Sequence, residues 1–116
     1  MKKYTFYEDP GHGWLEVPMT ELVELGIADV ITPCSYMTRD YVAPHKLAYL
    51  EEDCDLTTFL VAKIYDYVPK DWKDACCKMN GEEARKWYAE NVDHNDRATL
   101  RGAPEIFVRR LPNYAA

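Results

Sequence analysis

Asp9-Pro10-Gly11-His12-Gly13 crowds a proline and two glycines into five residues, a composition that makes a chain reverse direction. Before it, KKYTFYE (2–8) alternates polar and aromatic residues with period two; after it, WLEV (14–17) resumes strand character. Strand, turn and strand read as a β-hairpin whose connection has an ordinary length. An antiparallel sheet is therefore the frame on which the remainder must be built.

Beyond Pro18 the pattern changes. TELVELGI predicts a short helix with Thr20 as N-cap, Leu22, Leu25 and Val23 inward, and Gly26 ending it in a left-handed conformation. Val23 stands where a capping box needs Glu or Gln, so only the cap half applies. ADVITPCSY (28–36) reads as a strand interrupted by Pro33, residues 38–46 as a loop, and LAYLEE (47–52) as a strand. In DCDLTTFLVAKIYDYV, Leu56, Phe59, Leu60 and Ile64 recur at helical spacing, with Asp53 or Asp55 as cap and Pro69 as stop. Two more helices follow, with Trp72, Ala75, Cys76 and Met79 and then Ala84, Trp87, Tyr88 and Asn91 or Val92 inward; Asn80 and Glu83 form a capping box. Residues 93–104 read as loop, 105–111 as a last strand, and 112–116 as a tail. The expectation is one α+β domain over 1–116, with a small, mostly antiparallel sheet of four to five strands backed by three to four helices.

Composition narrows the function. The first 60 residues carry four basic and eleven acidic side chains, a balance of −7, and the remaining 56 carry ten and nine, a balance of +1. An acidic front half argues against direct nucleic-acid binding, which needs a basic face. It suits docking onto a basic partner. No 18-residue apolar run exists to span a membrane. The N-terminus has no apolar segment before Glu8 and Asp9, so the chain is expected inside the cell, in the cytoplasm. There the four cysteines should be free thiols. Cys34, His45 and Cys54 come nearest to a metal set, but their spacing fits no zinc pattern, and neither a metal nor a cofactor is expected.

Two stretches are candidates for chemistry. His12 as a general base would need an orienting carboxylate and a cleft. Glu8, Asp9 and Glu16 are its sequence neighbours, and no serine or cysteine lies beside it. It reads more simply as a histidine displayed by a glycine-permitted turn, with Trp14 next to it as an aromatic anchor for a partner. LEEDCD concentrates Glu51, Glu52, Asp53 and Asp55, which reads as helix capping, a protein-binding surface or, least readily, a site for a hard cation. Arg109 and Arg110 fall on opposite faces of the last strand, where one can pair with this cluster for about 0–1 kcal/mol. No phosphate-binding glycine loop, nucleophile elbow or zinc-protease motif occurs.

The blocks DPGHGWLEVP, ELGIADVIT…SY, YLEEDCDLTTFL and FVRRLPNY, within residues 7–36, 49–60 and 106–114, resemble a family of small uncharacterised proteins carried by bacteriophages, prophages and plasmids. APHKL (43–47) and the helical region 69–98 depart from that pattern. The resemblance brings no activity with it; it implies a mobile element in a bacterial cell, where small acidic proteins often bind host nucleases or restriction and CRISPR complexes. The expected function is a non-enzymatic inhibitor of the anti-CRISPR or anti-restriction type. It would engage a host protein with a basic, nucleic-acid-binding surface through Glu51, Glu52, Asp53 and Asp55 with Asp40 and Glu16, while His12 and Trp14 add contact area. The alternative is a small metal- or histidine-dependent enzyme using His12 with Glu51, Glu52 and Asp53.

Overall fold

In a computed structural model the described residues are 3–8, 11–38, 46–95, 108 and 111–115. Five strands and four helices lie among them: β1 (Tyr4–Glu8), β2 (Gly13–Pro18), α1 (Met19–Glu24), β3 (Tyr36–Met37), β4 (Leu47–Glu51), α2 (Asp55–Tyr65), α3 (Trp72–Lys78), α4 (Gly81–Asn91) and β5 (Val92–Asn95). The strand order is β3-β4-β2-β1-β5. Every pairing is antiparallel except β1 with β5. This is the expected α+β architecture, and β1–β2 is the expected hairpin.

Register decides which side chains share a face. Phe6 lies opposite Leu15, and Leu15 opposite Leu50. Because side chains alternate along a strand, Phe6, Leu15, Val17, Ala48 and Leu50 face one way. They join Leu22 of α1 and Leu56, Phe59 and Leu60 of α2 in the main core. The opposite face carries Tyr7, Trp14, Tyr36 and Tyr49, packed against Val108 and Leu111. The sheet is thus covered on both sides, by helices on one and by part of the C-terminal segment on the other.

Several boundaries differ from the sequence reading. Pro18, with φ −61°, is the N-cap of α1, so Thr20 sits in the first turn and does not cap it. Gly26 does take the left-handed conformation, at φ +77°. Its N–H reaches Val23 O and that of Ile27 reaches Leu22 O, the paired closure of a Schellman end. Leu22 is buried, whereas Val23 is 64% exposed. Of the expected strand 28–36 only its end survives, as β3. Pro33 cannot donate to a ladder, and turn bonds from Val30 N to Ile27 O and from Ser35 N to Thr32 O hold the segment instead.

Helix α2 begins without a side-chain cap, so neither Asp53 nor Asp55 caps it, and Asp66 at φ +53° ends it before Pro69 is reached. In α3, Ala75 is buried, but Trp72 and Cys76 are exposed. Asn80 caps α4 by accepting from Glu82 N and Glu83 N. The Glu83 carboxylate does not return to Asn80 N–H. It accepts from the Tyr65 hydroxyl, which itself accepts the Asn80 N–H at 3.1 Å. Tyr65 therefore completes the cap from a neighbouring helix. Asn80→Ala should lower stability by about 1 kcal/mol, read as a shift in the urea midpoint with the slope unchanged.

The fifth strand is not where the sequence placed it. Residues 92–95 pair with β1, from Tyr4 opposite Val92 to Tyr7 opposite Asn95. Only Val92 in VDHN is a strong strand former, so its extended state comes from the open edge of β1 and not from local propensity. Of 105–111 only 108 and 111 are described, and Arg109 and Arg110 lie outside the described residues.

Candidate functional site

The turn at the end of β4 doubles back towards the start of β2, and backbone bonds join the two. Glu52 N donates to Gly13 O at 2.9 Å, and Trp14 lies opposite Glu51. Gly13 is needed here for closeness. A Cβ at this position would lie 2.2 Å from Phe6 Cζ, inside any tolerable contact.

This juxtaposition brings His12 to Glu51 although 39 residues separate them; Nδ1 and Oε2 are 3.0 Å apart. The contact is an ion pair when the imidazole is protonated and a hydrogen bond when it is neutral. Glu51 is nearly buried, and its other oxygen accepts the Asp53 N–H at 2.8 Å. His12 stays open, with 46% side-chain exposure, and stacks on Trp14 with ring centroids 6.1 Å apart. Trp14 meets Tyr36 edge-on at 6.2 Å. His12, Trp14, Cys34, Tyr36, Glu51 and Asp53 line a cavity of about 350 Å³.

Beneath the cavity Asp55 is 0% exposed and acts as a clamp. Its carboxylate accepts from Thr32 N at 3.0 Å, Thr32 Oγ1 at 2.9 Å and Ser35 Oγ at 2.5 Å. Ser35 Oγ in turn accepts the Glu51 N–H at 3.0 Å. Loop 32–35, the end of β4 and the start of α2 are thereby one hydrogen-bonded unit. Burial nevertheless leaves the Asp55 carboxyl above its ordinary value, the donated bonds only partly offsetting it.

Outside the cavity, Glu52 is exposed on its carboxylate rim. Its carboxyl is also pushed up, first by partial burial and then by Asp53, Glu51 and Glu8, with His12 opposing. Among the described residues His12 is the sole basic side chain paired with this cluster, so negative charge accumulates at the rim.

The expected contact set therefore divides. His12, Glu51, Glu52 and Asp53 come together, as their sequence positions could not show. Trp14, at 1% exposure, and Asp55 offer no surface to a partner. The first is enclosed by the strands and Val108, and the second is consumed by loop 32–35. Glu16 lies farther along the outer face, where its carboxylate accepts from the Tyr49 hydroxyl at 2.8 Å; burial, together with Glu16, holds the Tyr49 phenol above its usual range. Asp40 and His45 fall outside the described residues. Two cavity residues were missed. Cys34 and Tyr36 follow Pro33, and the Asp55 clamp together with the pairing of Tyr36 with Tyr49 brings them to the His12 side of the sheet.

Comparison with protein-family models, with curated proteins and with solved structures finds no match for this chain. No helix among the described residues is long and apolar enough to cross a membrane.

Proposed function

We propose that this chain is a non-enzymatic binding protein of a bacterial mobile element, which docks onto a basic surface of a host nucleic-acid-handling or defence complex and inhibits it. The observation that carries the reading is the rim of the cavity. Glu52 and Asp53 are exposed, Glu51 lies beneath them, and among the described residues no lysine or arginine pairs with any of the three. Like charges held together raise the energy of the free protein, and a cationic partner relieves that cost on binding. Tyr36 adds an aromatic wall, and a guanidinium or ammonium group packs favourably over the face of such a ring. The mobile-element setting rests on the resemblance of the DPGHGWLEVP, YLEEDCD and RRLPNY blocks.

Because Glu51 and Asp55 hold the structure together, the test belongs on the exposed pair. Capture from bacterial lysate by wild type, compared with Glu52→Lys/Asp53→Lys, should yield a basic partner for wild type alone, with circular dichroism confirming that both fold. Its association rate should fall steeply as salt rises from about 0.05 to 0.5 M. A partner retained equally by both proteins, or binding indifferent to salt, overturns the reading.

One observation favours an enzyme as the second reading. His12 has the orienting carboxylate that a general base requires, and the Cys34 thiol opens into the same cavity. A burst of nitrophenolate from p-nitrophenyl acetate, lost in both His12→Gln and Cys34→Ser, would support that alternative; equal slow release from all three would remove it.

A further inference from the structure

Cys34 and Cys54 are twenty positions apart in sequence yet adjacent in space. Thr32 joins them, because its Oγ1 accepts the Cys34 N–H at 3.2 Å and lies 3.6 Å from Cys54 Sγ. The Asp55 clamp enforces this arrangement, since it grips Thr32 and Ser35 on either side of Cys34 and directly follows Cys54. The thiols differ in access: Cys34 is exposed on the cavity wall, whereas Cys54 is only partly accessible at the start of α2.

We infer that Cys34 and Cys54 form a modification site that exchanges with small disulfides of the glutathione class and closes an intrachain disulfide across the cavity wall. This rests on the loop geometry alone and stands whether or not the cavity binds a basic partner. Cys34, the accessible thiol, loses its proton and attacks one sulfur of the small disulfide. An S–S bond forms at Cys34, the small disulfide's bond breaks, and one small thiolate leaves and takes up a proton. Cys54 then loses its proton and attacks Cys34 Sγ, and the second small thiolate departs with a proton. The chain loses two electrons and two protons, and one small disulfide becomes two thiols. Burial holds the Cys54 thiol up at about 11, so the second step should be the slower one and should accelerate as pH rises. The closed bridge would tie the loop bearing Tyr36 to the N-terminus of α2 and stiffen one wall of the cavity.

Cys76 and Cys77, exposed on α3, provide an internal comparison. The full chain is equilibrated with mixtures of reduced and oxidised glutathione, quenched with iodoacetamide and mapped by peptide mass. The expected product is a Cys34–Cys54 peptide pair lighter by the two hydrogens lost, formed at mixtures where Cys76 and Cys77 remain alkylated. In Cys54→Ser the second step is impossible, and glutathione should stay on Cys34. Wild-type mapping does not depend on that variant folding. Glutathione remaining on Cys34 in wild type beside a free Cys54, or bridges distributed evenly over all four cysteines, would overturn the inference.

Discussion

Asp55→Ala should lower the unfolding free energy by about 3–5 kcal/mol, the largest effect expected of any substitution at the site. The carboxylate is fully buried and accepts three hydrogen bonds. Truncation leaves the Thr32 N–H, the Thr32 hydroxyl and the Ser35 hydroxyl to find new partners, at about 1–3 kcal/mol for each buried group left unsatisfied. Water entering the vacated space and rotation of the hydroxyls recover part of the loss. The consequence reaches the cavity. Without the clamp, loop 32–35 detaches from α2, Cys34 separates from Cys54, and Ser35 no longer presents its oxygen to Glu51 N. Urea unfolding read by tryptophan fluorescence checks the stability. A change within about 1 kcal/mol would show that the three bonds add little beyond what water supplies.

The same residue has a pH signature. Its folded-state carboxyl is raised above the ordinary 3.8, so between the unfolded and folded values the folded state binds more protons. Stability from this group is therefore present in full below 3.8 and lost as pH rises through the folded value. Asp55→Asn, which cannot ionise, should show a shallower decline than wild type on the alkaline side of the carboxylate range. An identical slope in the two proteins would mean that the buried carboxyl ionises as freely in the native state as in the unfolded chain.

Gly13→Ala is the second large effect, at about 1–3 kcal/mol, the usual range for overpacking a filled site. The added methyl would meet Phe6 Cζ at 2.2 Å and Cε2 at 2.6 Å. Phe6 cannot simply withdraw, because it is buried in the main core and abuts Tyr88 edge-on at 5.8 Å. The strain falls on the backbone pairing of Gly13 with the β4 turn, where Glu52 N meets Gly13 O. His12 is the adjacent residue, so its contact with Glu51 should loosen as well. Proton exchange at Glu52 N–H, measured by NMR, should quicken in the variant. Unchanged stability and exchange would show that Phe6 has somewhere to go.

The hairpin was legible because its signal is local: alternation on both sides of a proline-glycine turn leaves few alternatives. The α2 stripe was legible for the same reason, with Leu56, Phe59 and Leu60 buried as their spacing requires. Strand β5 was illegible because VDHN is extended only by pairing with β1. The site was legible in its parts and not in its assembly. His12 and the acidic run stood out by composition. Their contact depends on the β2–β4 register, which no local pattern encodes. The division within LEEDCD was equally hidden, because periodicity says that four acids are crowded and not which of them has buried donors waiting.

Sequence alone determined the α+β class, the hairpin, the left-handed turn at Gly26 and the cap at Asn80. Each follows from conformational limits or hydrogen bonding within a few residues. Tertiary structure alone decided that Asp55 is a clamp, that Trp14 is enclosed, that His12 meets Glu51 and that Cys34 lies beside Cys54. Those outcomes depend on which distant groups the register and the turn at residues 32–35 bring within 3–4 Å, a distance over which hydrogen bonds and side-chain contacts act and sequence spacing says nothing.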